Sequence, residues 1–379
     1  MCYNSRMVTQ ARNLTERIIN DLKKKMVFIT GPRQVGKTWL AKQIASKYQN
    51  PVYLNYDSIE HREIIDQQGW PLNCDLLILD EIHKKKDWKV FLKGIFDTRE
   101  TEHILVTGSA RLETFKSTGE SLAGRYFRYR LLPFTTAELK DNSEVTLEKL
   151  IERGGFPEPF LAENEDDAQR WRRQYSEGLI REDVLDFERI HDFRAIKLLF
   201  ELLRSRVGSP LGLTSLAEDI NISSNTVKKY LQIFENLYII FSVTPFSKNI
   251  SRSIKKESKI YFYDTGLVKG DEGICFENHV AVALLKHQLF LEDTKGIETN
   301  LQYLRTKDKK EVDFCLVENG EVKKIIEVKL SNKNISPQLL YFQKKYDYSA
   351  IQVIKNLRQE KIIEKVELRR ARDFLFELS

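Results

Sequence analysis

The sequence predicts an α/β protein: a parallel sheet with helices on both faces, then a helical middle segment, then a second α/β domain. Three observations carry this. Short apolar runs alternate with helical periodicity through residues 26–134, as parallel sheets require. A G-x-x-x-x-G-K-T stretch, Gly31 to Thr38, stands between one such run and a helix. Beyond residue 266 the chain turns to polar–apolar alternation, with Asn319-Gly320 between two such runs.

Taken in order, residues 12–24 read as a short helix with Leu14, Ile18 and Leu22 on one face. Met26 to Ile29 is a buried strand. Trp39, Leu40, Ile44 and Ala45 then recur at helical spacing. Val52 to Tyr56 and Leu76 to Leu79 are further strands, the latter ending in Asp80-Glu81. His103 to Ser109 is a fourth strand, expected between the first and third. Residues 110–124 read as helix and loop, and Tyr126 to Phe134 is a fifth strand.

Composition bounds the class. The 379 residues are 41% hydrophobic and 31% charged, which fits a well-cored protein of two or three domains. No run approaches the ~20 apolar residues of a membrane span. The first residues, MCYNSRMVTQAR, lack the apolar core of a signal peptide. Cys2, Cys74, Cys275 and Cys315 are scattered, which argues for free thiols in a reducing cytoplasm and against zinc. A net charge of +6 permits an anionic partner without requiring one.

The Gly31–Thr38 loop carries the first chemistry. Gly31 and Gly36 allow backbone angles that a side chain forbids, so the N–H groups around Pro32, Arg33, Gln34 and Val35 can turn inward onto phosphate. Lys37 would reach the β- and γ-phosphates of ATP, and Thr38 would ligate Mg²⁺. Asp80 emerges at a strand's carboxyl end, where it can hold the same ion. Glu81 is placed to polarise an attacking water. Ser109, or with less support Thr107, could sense the γ-phosphate; a turn-forming Thr-Gly-Ser is the other reading. Arg125, before the fifth strand, could reach a phosphate in a neighbouring subunit, or form a salt bridge on its own surface.

The middle segment is helical. Gly154-Gly155-Phe156-Pro157 is a turn cluster, and residues 166–207 carry helical periodicity. Leu213 to Ile220 is a short helix. Ser223 or Ser224 caps a longer one bearing Val227, Leu231, Phe234 and Leu237 on one face. Two helices across a tight turn are a helix-turn-helix signal. Strands Tyr238 to Pro245 and Lys259 to Tyr263 would supply a wing around Lys248, Arg252, Lys255, Lys256 and Lys259. These lysines, with Lys228 and Lys229, would contact DNA or RNA phosphates, or else form a solvated face of a packing module.

The chain resembles a prokaryotic family of AAA-type ATP-binding proteins whose C-terminal half is catalogued as a domain of unknown function. The motifs that carry the resemblance are GPRQVGKT, LLILDEI, VTGSA, SLAGR, LLPF, GGFPEP, KIYFYDTGL, FEN, EVDF and IEVK, in that order. The resemblance implies an AAA-type P-loop core over residues 1–140, a helical linker and winged helix over 141–265, and a restriction-endonuclease-like domain over 266–379. It supplies no substrate.

In that last domain Glu311 to Val317 and Lys324 to Lys329 are strands joined by the Asn319-Gly320 turn. Asp313 and Glu327 fall on adjacent strands, with Lys329 on the same face as Glu327. This is the D…E-x-K arrangement of restriction-type nucleases. Two carboxylates could hold Mg²⁺ against a scissile phosphate while Lys329 orients the water; Glu277, at the head of a helix, could add a ligand. Two functions follow as expectations. One is an ATPase coupled to nucleic-acid binding, with cleavage by the C-terminal domain and a homo-oligomeric assembly. The other is a nucleotide-dependent switch or scaffold that binds protein partners and cuts nothing.

Overall fold

The computed structural model describes residues 12–98, 103–108, 122–139, 143–184, 192–247, 257–331 and 334–378. Two compact units are present, Ala11–Leu132 and Pro133–Ser379.

The first unit is a five-stranded sheet. Its strands are β1 (Met26–Thr30), β2 (Pro51–Asn55), β3 (Leu76–Asp80), β4 (His103–Thr107) and β5 (Tyr126–Arg130), in the order β2-β3-β4-β1-β5. All four pairings are parallel. β4 lies between β1 and β3, as expected. β1 and β3 are buried on every residue, which is why they read as continuous apolar runs rather than alternating ones. Helices α1 (Thr15–Leu22), α2 (Lys37–Ala45), α3 (Ile59–Gln67) and α4 (Trp88–Thr98) flank the sheet. One face packs Phe28, Leu77, Leu79 and Val106 against Trp88, Leu92 and Ile95 of α4. β5 stops at Arg130, four residues short of the expected end.

The second unit opens with α5 (Glu144–Arg153), α6 (Pro157–Leu161) and α7 (Glu165–Gly178), which runs into a π-helical turn at Leu179–Asp183. Then follow α8 (Phe193–Arg204), β6 (Pro210–Leu211), α9 (Leu213–Ile220), α10 (Ser224–Asn236), β7 (Ile240–Pro245) and β8 (Ser258–Phe262). Asn221 takes a left-handed turn after α9, and the Ser223 side chain accepts the Thr226 N–H to start α10. The 24-residue α11 (Glu272–Lys295) leads to β9 (Thr299–Arg305), β10 (Glu311–Glu318) and β11 (Glu321–Lys329). Last come α12 (Pro337–Tyr346), β12 (Ala350–Ile354), β13 (Lys361–Ile363), β14 (Val366–Arg370) and α13 (Ala371–Phe376). β10 and β11 join through Asn319 and Gly320, both at positive φ (49° and 78°), the geometry an Asn-Gly hairpin turn requires.

One nine-stranded sheet, β13-β14-β12-β11-β10-β9-β7-β8-β6, runs through this unit. β7 pairs parallel with β9 at Thr244–Gln302 and Pro245–Tyr303. Segments 141–265 and 266–379, expected as separate domains, thus share a sheet. Among the described residues no helix is long and apolar enough to cross a membrane.

Candidate functional site

The phosphate loop is shaped by backbone demands. Gly31 sits at φ 141°, Gln34 at 60° and Gly36 at 97°. At Gly31 a Cβ would lie 2.2 Å from the Leu131 carbonyl oxygen, so only glycine fits where β5 ends against the loop. Gly36 precedes α2 with no side chain capping it, which leaves the first N–H groups of α2 facing the loop. Arg12, outside every motif, ties the loop down. Its guanidinium donates to Val35 O (2.7 Å) and Leu132 O (3.2 Å) while 3% exposed.

Lys37 is buried and donates to Gly31 O (3.0 Å) and Pro32 O (2.6 Å). Burial pushes its ammonium down to about 8, against the pull of Glu81 and Asp80. Asp80 is the hub. Its Oδ2 accepts from the Thr38 hydroxyl (3.0 Å) and the Tyr53 hydroxyl (2.6 Å), and its Oδ1 from the Thr107 hydroxyl (2.6 Å). The sheet register does this: Asn55, Asp80 and Thr107 are aligned across β2, β3 and β4. Thr107 therefore holds Asp80 through this bond. Ser109, the preferred phosphate sensor, lies outside the described residues. The Thr38 hydroxyl and Asp80 carboxylate are the hard oxygen donors a magnesium ion takes, so the residues fit that ion.

Glu81 stands at φ 56°, a left-handed conformation that costs a non-glycine of order 1 kcal/mol. The turn aims its carboxylate back past His83 Nε2 (3.6 Å) and Lys84 Nζ (3.5 Å). Burial raises its proton affinity, opposed most by Lys84, and that suits a general base. Arg125 makes a forked pair with Asp97, Nε–Oδ1 and Nη2–Oδ2 both 2.9 Å, within its own subunit.

The C-terminal carboxylates assemble differently from the sequence expectation. Asp313 and Glu327 do face each other, one step beyond the Phe314–Ile326 pair of β10 and β11. Lys329 Nζ lies 2.8 Å from Glu327 Oε1. Glu277 is in the second turn of α11, because Asp271 caps that helix earlier than expected; Tyr261 donates to Glu277 Oε1 at 2.7 Å. Lys259, read from sequence as a wing lysine, is instead 1% exposed. Its ammonium lies 2.9 Å from Glu311 Oε1, 3.4 Å from Asp313 Oδ1 and 3.9 Å from Glu277 Oε1. A buried lysine needs such partners. Lys248, Arg252, Lys255 and Lys256 lie outside the described residues.

This arrangement does not fit a divalent ion as it stands. Asp313 Oδ2 accepts the Val328 N–H (3.0 Å) and Oδ1 faces Lys259. Among the described residues no three His, Cys, Asp or Glu side chains converge as a metal-holding set. Burial and the Asp313 charge hold the carboxyls of Glu277 and Glu327 well above the usual carboxylate range. Sequence reasoning missed Arg12, Tyr53, Lys259 and Glu311. Only Lys259 carried a legible signal, a charge within an otherwise apolar strand.

A family model described as an AAA domain matches residues 23–140. Two models described as domains of unknown function, DUF8612 and DUF4143, match 144–270 and 272–370. An uncharacterized protein of Methanocaldococcus jannaschii is 27% identical over 362 residues, covering 84% of this chain and 78% of its own. One from Mycobacterium tuberculosis is 23% identical over 323 residues, covering 83% and 73%. Among solved structures, a Thermotoga maritima RuvB variant aligns at TM-score 0.31 and 16% identity over 61% of this chain and 89% of its own. C. elegans PCH-2 aligns at 0.29 and 16% over 61% and 72%. The chain is an α/β protein whose P-loop core falls within the AAA-domain match and whose C-terminal part matches DUF4143.

Proposed function

We propose that this protein hydrolyses ATP in a Mg²⁺-dependent reaction and couples turnover to nucleic-acid binding through the helix-turn-helix of α9 and α10. The observation that carries the first half is the Asp80 hub, with Thr38 bonded to it and Glu81 beside it. Lys37 and the α2 N–H groups would bind the phosphates, and Thr38 and Asp80 would hold the ion. When bound, that ion would offset phosphate charge. Glu81, its proton affinity raised by burial, would take a proton from the attacking water.

The second half rests on element order. α8, β6, α9, α10, β7 and β8 follow one another as helices and strands do in a winged helix, and α10 carries exposed Lys228 and Lys229. Free Cys74, Cys275 and Cys315 support a reducing, cytoplasmic setting. The test is nucleic-acid binding by the purified protein across a salt series, with and without ATP and Mg²⁺. We expect affinity to fall as salt rises and to respond to ATP in wild type but not in Lys37→Ala. Absence of binding at every salt, with normal hydrolysis, would favour the switch that binds protein partners.

Metal-dependent cleavage at Asp313, Glu327 and Lys329 is a second reading, favoured by one observation. Among the described residues, the buried Glu327 Oε2 has no hydrogen-bond partner. Cleavage would require Lys259 to leave its carboxylates. It would appear as nicking of plasmid or single strands with Mg²⁺ or Mn²⁺, lost in Asp313→Ala.

A further inference from the structure

A cavity of about 380 Å³ in the second unit belongs to neither site. Its walls are α7 with its π-helical turn, α8, and the turn at Gly266 and Leu267. Five cationic side chains line it, Arg172, Arg173, Arg181, Lys197 and Arg204, against two carboxylates, Glu177 and Glu201. Both carboxylates are already committed. Glu177 lies 3.3 Å from Arg173; Glu201 lies 3.1 Å from Arg204 and 2.8 Å from Lys269. Arg172 is held by Glu165, yet its buried Nε makes no hydrogen bond among the described residues. Arg181 and Lys197 have no ionic partner among the described residues, and both are exposed at the rim.

The cavity is built rather than incidental. α7 passes into the π-helical turn at Leu179, which brings Ile180 and Arg181 to the same wall. The facing turn is fixed from behind. Asp264 accepts the Gly266 N–H (3.1 Å), and Arg204 Nε donates to Leu267 O (2.6 Å). A Cβ on Gly154 would fall 1.9 Å from Asp264 Oδ1, and one on Gly266 would fall 2.6 Å from Arg172 Nε. The GGFPEP and YDTGL motifs, which neither the phosphate loop nor the carboxylate set uses, thus meet behind this wall.

We infer that the cavity binds the phosphate of a nucleotide. Surplus cationic charge in a concave, partly apolar space raises the local concentration of anions. Guanidinium groups from two helices suit phosphate oxygens, while Ile180, Phe193 and Leu267 offer an apolar surface to a base or sugar. The volume falls within the range of small-molecule pockets. A free nucleotide and the phosphorylated end of a single strand present the same chemistry.

The experiment uses the full chain with its phosphate loop filled by ADP and Mg²⁺. The probe is a 5′-phosphorylated trinucleotide with a 3′ fluorophore, compared with its unphosphorylated twin by anisotropy. Wild type should bind the phosphorylated probe at least 10-fold more tightly than Arg181→Ala/Lys197→Ala. The charge-keeping Arg181→Lys/Lys197→Arg variant should restore most of that affinity. ATP hydrolysis should be equal in all three, which separates this site from the phosphate loop. Competition by AMP identifies a free nucleotide as the ligand; phosphorylated-probe binding that AMP does not compete identifies a strand end. Equal binding by the double alanine variant, equal binding of the unphosphorylated twin, or no binding by wild type overturns the inference.

Discussion

Replacing Lys259 with methionine separates its two possible roles. The substitution keeps most of the side chain's volume and removes its ammonium. Three carboxylates, Glu311, Asp313 and Glu277, then lose a cation at 2.9, 3.4 and 3.9 Å. Deleting one partner of a buried ion pair costs about 3–5 kcal/mol. Here the carboxylate side chains are 26%, 16% and 22% exposed, so water recovers part of the loss and the lower end applies, about 3 kcal/mol. At ~2–4 °C per kcal/mol for a unit of this size, the second unit's melting midpoint should fall by roughly 6–12 °C.

The pH dependence has a definite sign. The Glu277 carboxyl is raised by burial and by Asp313, and Lys259 opposes that rise. A raised carboxyl contributes stability that is full below its unfolded pKa and is lost as pH rises through the folded one. Without Lys259 the folded value climbs further above about 8, so the variant's deficit should widen as pH rises from ~7 to ~10. The assay is differential scanning calorimetry of wild type and Lys259→Met across that range. A wing lysine on the surface would instead leave the midpoint within a degree or so and flatten the salt dependence of nucleic-acid binding. That outcome, or a deficit that grows toward acid, would refute the buried-cation reading.

Three further outcomes are expected. Phosphate should return Lys37 toward its ordinary proton affinity, so nucleotide binding above pH 8 should take up a proton, visible by calorimetry in buffers of differing ionisation enthalpy; no uptake there would mean Lys37 does not meet phosphate. Thr107→Val removes a 2.6 Å bond to buried Asp80, which should cost about 1–3 kcal/mol of stability and weaken Mg²⁺-dependent turnover more than nucleotide binding. Arg125→Ala subunits should hydrolyse poorly alone and recover partly on mixing with Lys37→Ala subunits if Arg125 leaves Asp97 to act across an interface; full activity in a monomer would sink that role.

Much of the first unit was legible in the sequence because its signals are local. The strand–loop–helix context around Gly31–Thr38 and the apolar run into Asp80-Glu81 each follow from a few consecutive residues. Tyr53 and Arg12 were not legible, since both act through register and chain crossing: Tyr53 meets Asp80 only because β2 pairs with β3, and Arg12 meets Val35 only across the fold. The Asn319-Gly320 hairpin was legible from turn chemistry, and it placed Asp313 and Glu327 on adjacent strands. Lys259 was misread because charge in a basic stretch looks like surface. Its neighbours Ile260, Tyr261 and Phe262 are all buried, so both faces of β8 are covered and the lysine had to find carboxylates. The shared sheet was not legible either, because the β7–β9 pairing joins residues about 58 positions apart.

The central claim, that this is a water-activating ATP site, is tested most directly by Glu81→Gln. Nucleotide binding and ATP turnover should be measured together in wild type, Lys37→Ala and Glu81→Gln. The amide keeps the side chain's size but cannot accept the proton of the attacking water. Binding by Glu81→Gln should stay within about 3-fold of wild type while turnover falls by at least ~10²-fold, the usual worth of a positioned base. Lys37→Ala should lose both. Turnover at the wild-type rate in Glu81→Gln, or loss of binding equal to that of Lys37→Ala, would contradict the account.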